Sequence, residues 1–223
     1  MRMRRKKWAR PELAICPYYC MIPRENRGKW QAQFPQQRPL HVELGCGKGV
    51  STAQMVHANL DINYVAVDLS RDVLGHARRN IEAAYENEEI DNVVLTAINI
   101  EYITDYFCKE DSVQRIYISF CNPWSEKSRH EKRRLTHSRQ LSQYRTFLVD
   151  EGEIWFKTDD DMLFEASLEY FDESGFDIKY LSRDLHASGF TPNYLSEYEI
   201  KFTTEDVPTK FLIAVKKPVN AAP

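Results

Sequence analysis

Five polar residues, Glu43, Asp68, Asn99, Asn122 and Asp159, each stand where an apolar run of the chain ends, and Gly45, Gly47 and Gly49 come directly after the first of them. Carboxylates and amides so placed can accept ribose hydroxyls, meet a cation, or read the hydrogen-bonding edge of a base. The stretch Leu40-His41-Val42-Glu43-Leu44-Gly45-Cys46-Gly47-Lys48-Gly49 reads as a strand running into a tight turn, and Val50 to Leu60 as a helix leaving it. Glycine lets the backbone take positive φ and approach a ligand closely. The free N–H groups at the start of the following helix favour a polar or anionic group there. The turn is a candidate cradle for a nucleotide-like cofactor.

The spacing separates the candidates. A dinucleotide fingerprint is G-x-G-x-x-G, whose third glycine lets helix and strand pack closely. Here the spacing is G-x-G-x-G, and Glu43 stands two residues before the first glycine. A carboxylate there repels a pyrophosphate and suits a cofactor with a cationic end, as in S-adenosylmethionine, which carries an ammonium and a sulfonium. Asn63-Tyr64-Val65-Ala66-Val67 reads as the next strand and ends in Asp68. That is about the separation at which an acid accepts ribose hydroxyls in βαβ nucleotide sites. A nicotinamide-dependent oxidoreductase is the competing reading, disfavoured by the glycine spacing and by Glu43.

The positioning elements come from the pattern. Ser70 or Asp72 caps a predicted helix running through Tyr85, with Val73, Leu74, Ala77 and Ile81 at helical spacing. Further strands are predicted over 92–98, from Val113 to Phe120, and over 154–157. A short helix is expected near Glu101–Phe107, another from about Ser138 to Val149, a turn at Glu151-Gly152, and a helix from beyond Asp159 to Tyr170. Two more strands are expected around Phe176–Leu181 and Phe211–Lys216, giving seven. Alternating strands and helices make a parallel α/β sheet with right-handed crossovers, whose ligands sit at the C-terminal strand ends. The five polar residues then share one crevice.

A chain of 223 residues suits one domain with a small extension. The division expected is a basic extension over 1–38, a catalytic domain over 39–218 and a tail over 219–223. With 43% hydrophobic and 28% charged residues the composition is that of an ordinary globule. No apolar run reaches the ~18 residues of a membrane span, and no apolar signal core comes after the basic N-terminus. Five scattered cysteines point to a reducing cytoplasm. Cys16 and Cys20 lack a second pair at ligand spacing, so no metal site is expected. The net charge of −3 conceals segregation: Met1 to Leu40 holds ten Lys/Arg against Glu12 and Glu25, and Lys127 to Arg145 holds seven against Glu131. Two basic blocks in an acidic chain can present a polyanion-binding face.

The Asn122-Pro123-Trp124 step looks like the Asn/Asp-Pro-aromatic elements of enzymes that methylate nitrogen. With it the chain resembles the bacterial tRNA (guanine-N7)-methyltransferases over nearly its whole length. The resemblance runs through the Met1–Ala9 leader, Asn26-Arg27-Gly28-Lys29-Trp30, the glycine turn, and the block from Phe120 to Leu135. It closes with Phe156-Lys157-Thr158-Asp159 and with Ser196-Glu197-Tyr198-Glu199-Ile200-Lys201-Phe202. It implies a Rossmann-like S-adenosylmethionine-dependent methyltransferase fold, a mostly parallel seven-stranded sheet with helices on both faces. It implies transfer of the cofactor's methyl to N7 of a variable-loop guanosine in tRNA, by a cytoplasmic monomer or homodimer without membrane or metal.

By that resemblance Glu43, Gly45, Gly47, Asp68, Asn99 and Asn122 line the cofactor site. Lys127, Asp159, Ser196, Glu197, Tyr198 and Glu199 hold the guanosine, and Asn122 and Asp159 are the catalytic pair. The family usually has Asp in place of Asn122, Pro-Lys directly after the Trp where Ser125-Glu126 intervene here, and Thr in place of Ser196. The first departure keeps a second reading open, a tRNA-binding homologue with lost or weakened catalysis. Chemistry favours activity: guanine N7 has an in-plane lone pair and no proton to lose, so alignment does the work of a general base. Asp159 and Glu199 are expected to accept from the N1–H and N2–H₂ edge of guanine and to stabilise the cationic product.

Overall fold

The computed structural model describes residues 6–125 and 128–218. Its strands are β1 (Tyr19–Cys20), β2 (Leu40–Leu44), β3 (Asn63–Asp68), β4 (Val93–Ala97), β5 (Val113–Ser119), β6 (Leu148–Thr158), β7 (Phe176–Ser182) and β8 (Lys210–Lys216). They form one eight-stranded sheet in the order β1-β4-β3-β2-β5-β6-β8-β7. Neighbours from β1 to β6 are parallel, and β8 runs antiparallel between β6 and β7. Every residue of β2 is buried, as expected of a central parallel strand covered on both faces.

Among the described residues there are six α-helices: α1 (Ala9–Ala14), α2 (Val50–Ala58), α3 (Arg71–Tyr85), α4 (Ser138–Tyr144), α5 (Asp161–Glu173) and α6 (Glu197–Thr203). On one face Leu13, Met55, Val56, Leu74 and Ile81 from α1 to α3 pack with Tyr64, Ala66 and Leu95 of the sheet. On the other, Leu141, Tyr144, Leu163, Phe164 and Phe171 from α4 and α5 pack with Val42, Val65, Ile116 and Phe156. The starts of α3 and α5 are fixed by side-chain caps: Ser70 Oγ accepts from Val73 N–H at 3.4 Å, and Asp160 Oδ1 from Leu163 N–H at 2.7 Å.

The structure corrects the expected elements at four places. The sheet has eight strands, because Tyr19–Cys20 pairs with Leu95–Thr96 at its edge; two residues between prolines carry no readable alternation. The helix expected to reach Val149 ends at Tyr144, since the chain enters β6 at Leu148. Glu151-Gly152, expected as a turn, lies inside β6, where the register with β5 shifts between Val113 and Arg115 and Glu151 takes φ 61°. The segment expected as helical near Glu101–Phe107 is a 3-10 stretch, Ile100–Asp105.

Arg2, Arg4 and Arg5 of the basic arm lie outside the described residues, as do residues 219–223. From Lys6 onward the N-terminal segment is packed. Trp30 is fully buried and stacks on Phe107, and α1 lies on α3 with the Arg79 guanidinium 3.7 Å over the Trp8 ring. Among the described residues no helix is long and apolar enough to cross a membrane, and no group of three or more His, Cys, Asp or Glu could hold a metal ion.

Gly75 sets how closely α1 approaches α3. A Cβ built there meets Ala9 Cβ at 2.6 Å and Ala9 Cα at 2.9 Å. Gly75→Ala is expected to lift α1 and lower stability by about 1–3 kcal/mol, measured by urea unfolding; an unchanged midpoint would show that this contact contributes nothing.

Candidate cofactor and substrate site

Sheet order determines which strand ends meet. Register pairs Leu44 of β2 with Val67 of β3 and Ile118 of β5, Asp68 with Ala97 of β4, and Ser119 of β5 with Lys157 of β6. Asn99, Asp68, Glu43 with its glycine turn, Asn122 and Asp159 therefore lie along the C-terminal edge of five consecutive parallel strands. At ~4.8 Å per strand the row spans about 19 Å. Its middle is β2, where the chain order reverses, the place at which open α/β sheets bind ligands.

Glu43 is buried, and its carboxylate accepts from Thr52 Oγ1 at 2.5 Å and Ser51 Oγ at 3.3 Å, both hydroxyls from the first turn of α2. Burial pushes its pKa up to about 7, against the pull of the two hydroxyls and of Lys157. The glycine turn is tied to β3. Gly45 and Cys46 N–H both donate to the Val67 carbonyl at 2.9 Å, and Gly47 N–H donates to Asp68 Oδ2 at 3.2 Å. Gly49 begins α2 at φ 70°, and a Cβ there would stand 2.7 Å from Ala77 Cβ of α3, so both the turn and the helix contact require glycine. Asp68 Oδ1 accepts from Ser70 N–H at 2.8 Å; burial raises its pKa, and these backbone N–H groups oppose the rise.

The two asparagines are exposed, and each closes a local turn: Asn99 Oδ1 accepts from Glu101 N–H at 3.2 Å, Asn122 Oδ1 from Trp124 N–H at 2.9 Å. The Asn122 turn is held from below. The buried Arg134 donates through Nε to the Pro123 carbonyl at 2.8 Å, while the Arg133 guanidinium lies 5.2 Å over the Trp124 ring. Asp159 is half-buried just past β6, and burial raises its pKa. Lys210 Nζ fixes its backbone by donating to the Asp159 carbonyl at 2.9 Å and pairs with Asp161 at 2.9 Å. Lys127 lies outside the described residues.

The closing segment docks on the same edge. Ser196 and Glu199 form a capping box at the start of α6: Ser196 Oγ accepts from Glu199 N–H at 3.0 Å. Glu197 pairs with Lys48 of the glycine turn at 2.6 Å. Tyr198 is 57% exposed, and its ring lies 6.4 Å from that of Phe120, at an interplanar angle of 22°. Gln54 of α2 holds Leu195 by both backbone groups, and Asn59 donates to Tyr194 Oη at 2.7 Å.

Glu199 does not face outward as expected. Its carboxylate is fully buried, pairs with Lys157 Nζ and with His186 Nε2, each at 3.2 Å, and accepts from Asn193 Nδ2 at 2.8 Å. Lys157 falls within the Phe156-Lys157-Thr158-Asp159 motif, which by itself assigns it no role. Its signal was a cation ending an otherwise apolar strand run. Glu43, Ser51, Tyr117, Ser119, Lys157 and Tyr194 line one pocket between the sheet and this segment.

Comparison with known proteins adds three findings. A family model described as a putative methyltransferase matches residues 37–212. The chain is similar to proteins named tRNA (guanine-N(7)-)-methyltransferase from Clostridium beijerinckii, 55% identical over 97% of this chain and 99% of that one, and from Clostridium botulinum, 54% identical over 97% and 100%. Its fold is similar to that of a 16S rRNA methyltransferase, KamB, at a TM-score of 0.60 and 11% identity, over 82% of this chain and 90% of that one.

The Glu43 carboxyl makes stability depend on pH in a definite direction. Its folded pKa of about 7 lies above the ordinary 4.5, so the folded chain holds the proton more tightly than the unfolded chain. Its contribution therefore falls as pH rises from about 4.5 to about 7, by on the order of 3 kcal/mol. Glu43→Gln is expected to flatten that difference in unfolding free energy; parallel pH profiles for the two proteins would contradict it.

Proposed function

The chain belongs to the bacterial tRNA (guanine-N7)-methyltransferase family, and from that premise we propose how its residues share the work of methylating N7 of a variable-loop guanosine in tRNA. The observation that carries the reading is the near full-length identity to relatives of that one name. The strand-end row supports it by supplying a cofactor half and a substrate half on one edge.

The residues present fit S-adenosylmethionine. Glu43 is a buried carboxylate whose neighbouring cation, Lys157, is also engaged by Glu199, so a positive group beside it lowers its cost of ionisation. Asp68 stands at the end of β3, where an acid meets ribose hydroxyls, and Gly45 and Gly47 bring backbone close. Glu43, Gly45, Gly47, Asp68, Asn99 and Asn122 would hold the cofactor. When bound, it supplies a methyl group on a sulfonium.

Guanine N7 offers its lone pair without losing a proton, so the chain's residues have to orient and dehydrate rather than deprotonate. Asp159 accepts from the guanine N1–H and N2–H₂ edge, which adenine lacks, and its negative charge stabilises the cationic purine. Asn122 closes its turn through Oδ1, a bond that Asp would also make, so the replacement preserves the shape of the Pro123-Trp124 step. Ser196, Glu197 and Tyr198 present the guanosine-binding side of the closing segment. Glu199 acts from behind it, and Lys127 joins them from the basic block. Lys6, Lys7 and Arg10 with Arg129, Lys132 and Arg133 contact tRNA phosphates, which position without reading sequence.

Incubation with unmodified tRNA and methyl-labelled cofactor is expected to give 7-methylguanosine on nucleoside analysis. Asp159→Asn should lower kcat about 100-fold. Unlabelled tRNA would overturn the activity, and full turnover by the variant would overturn the role of Asp159.

A further inference from the structure

The geometry points to Lys157 as a positioning residue that latches the guanosine-binding segment to the cofactor edge of the sheet. Its ammonium is carried near the end of β6, one residue before Thr158, and the residue is only 9% exposed. An ammonium has three protons to donate. Here they meet Asn193 Oδ1, the Tyr194 carbonyl at 3.1 Å and Glu199 Oε2 at 3.2 Å. All three acceptors belong to one short stretch, 193–199, rather than to separate parts of the core.

The acceptors are also tied to one another. Asn193 donates to the other Glu199 oxygen at 2.8 Å, and Glu199 Oε2 accepts from Ser196 N–H at 3.5 Å within the capping box. The ion pair, the amide bridge and the helix cap thus form one closed network around a carboxylate with no exposure to solvent. Removing the ammonium would leave that carboxylate buried with only the Asn193 amide, His186 and the long Ser196 N–H bond to answer its charge, which the low dielectric of the site penalises. The segment would then have to turn Glu199 toward water, unwinding the first turn of α6 and shifting Ser196, Glu197 and Tyr198.

Lys157 lines the same pocket as Glu43, and its charge favours the ionised form of the Glu43 carboxylate. The cation that pairs with Glu199 on the substrate segment therefore also acts, through its field, on the carboxylate of the cofactor strand. The latch sets the distance between the two halves of the site without touching either reactant. Phe120 links it to the Asn122 turn. Its N–H donates to the Lys157 carbonyl at 2.9 Å, and its ring lies beside Tyr198.

Three variants of the full chain test this: Lys157→Met, Lys157→Arg, and Asn193→Ala, which leaves the ion pair in place and carries the test alone should Lys157→Met not accumulate. The readouts are hydrogen exchange, S-adenosylhomocysteine affinity and tRNA methylation kinetics. In Lys157→Met, exchange over 193–203 should rise at least about tenfold while β2 to β5 stay protected. Its kcat/KM for tRNA should fall about 100-fold, with S-adenosylhomocysteine affinity held within about threefold. Lys157→Arg keeps the charge and the donors and should recover to within about tenfold of wild type; Asn193→Ala should lose about tenfold, with exchange raised over the same segment.

Unchanged exchange over 193–203 in both Lys157→Met and Asn193→Ala would overturn the latch. So would a loss spread equally over the whole sheet and over S-adenosylhomocysteine binding, the mark of a merely structural lysine. The kinetic arm rests on the methyl-transfer reading, and the exchange arm does not. A wild-type protein inactive on tRNA would defeat that reading while exchange still decides the latch.

Discussion

A carboxylate buried at the end of the central strand is the constraint around which this molecule is arranged. Placing Glu43 beside a backbone turn, out of water, is unfavourable unless its charge is answered. The chain answers it incompletely: two hydroxyls from the helix that leaves the turn, and one ammonium that a second carboxylate also claims. The result is a group poised near neutrality rather than fully ionised. A carboxylate left short of positive charge in this way is electrostatically favourable to a cationic group beside it. The glycine turn does not oppose it, since the N–H groups of Gly45, Cys46 and Gly47 are already engaged by Val67 and Asp68.

The same helix serves both halves of the site. Ser51 and Thr52 at the start of α2 hold Glu43, while Gln54 and Asn59 further along hold Leu195 and Tyr194 of the closing segment. Lys48 in the turn itself reaches Glu197. These last contacts join residues about 140 apart in sequence, and none is a large apolar contact. Exposed pairs such as Lys48–Glu197 contribute little individually, roughly 0–1 kcal/mol. The buried Lys157 network is therefore the strong tie, and the exposed pairs set register.

The strands were legible because each carries its own signal. β-branched runs such as Val93-Val94-Leu95-Thr96 state their type directly, and the polar residue that ends each run marks its functional end. The row of polar residues at those ends could be read for the same reason, since a parallel sheet places every C-terminal end on one edge. What escaped the sequence depends on partners far away. Tyr19–Cys20 becomes a strand only because β4 offers an open edge. β6 starts early because an irregular register absorbs Glu151-Gly152. The inward orientation of Glu199 is imposed by a lysine 42 positions earlier, and nothing in Ser196-Glu197-Tyr198-Glu199 marks the fourth residue as buried except its place at the third position of a helix cap.

The chemistry explains why so much of the structure serves placement. A reaction that removes no proton from its nucleophile leaves little for a general base to contribute, and most of what the protein can supply is the alignment of two reactants in a dry site. Alignment depends on the stiffness of whatever carries the contacting groups. Here each contacting turn is braced from within: the Asn122 step by the buried Arg134, the Asp159 backbone by Lys210, the closing segment by Lys157. All three braces are cations that end on backbone carbonyls, and all three are buried. A carbonyl acceptor survives any change of the residue above it. Side chains on these turns can therefore change while the backbone that carries them stays fixed. Lys157 goes further than the other two, because it also ends on the buried Glu199 carboxylate and on Asn193, and so ties the side chains behind the closing segment as well as its backbone.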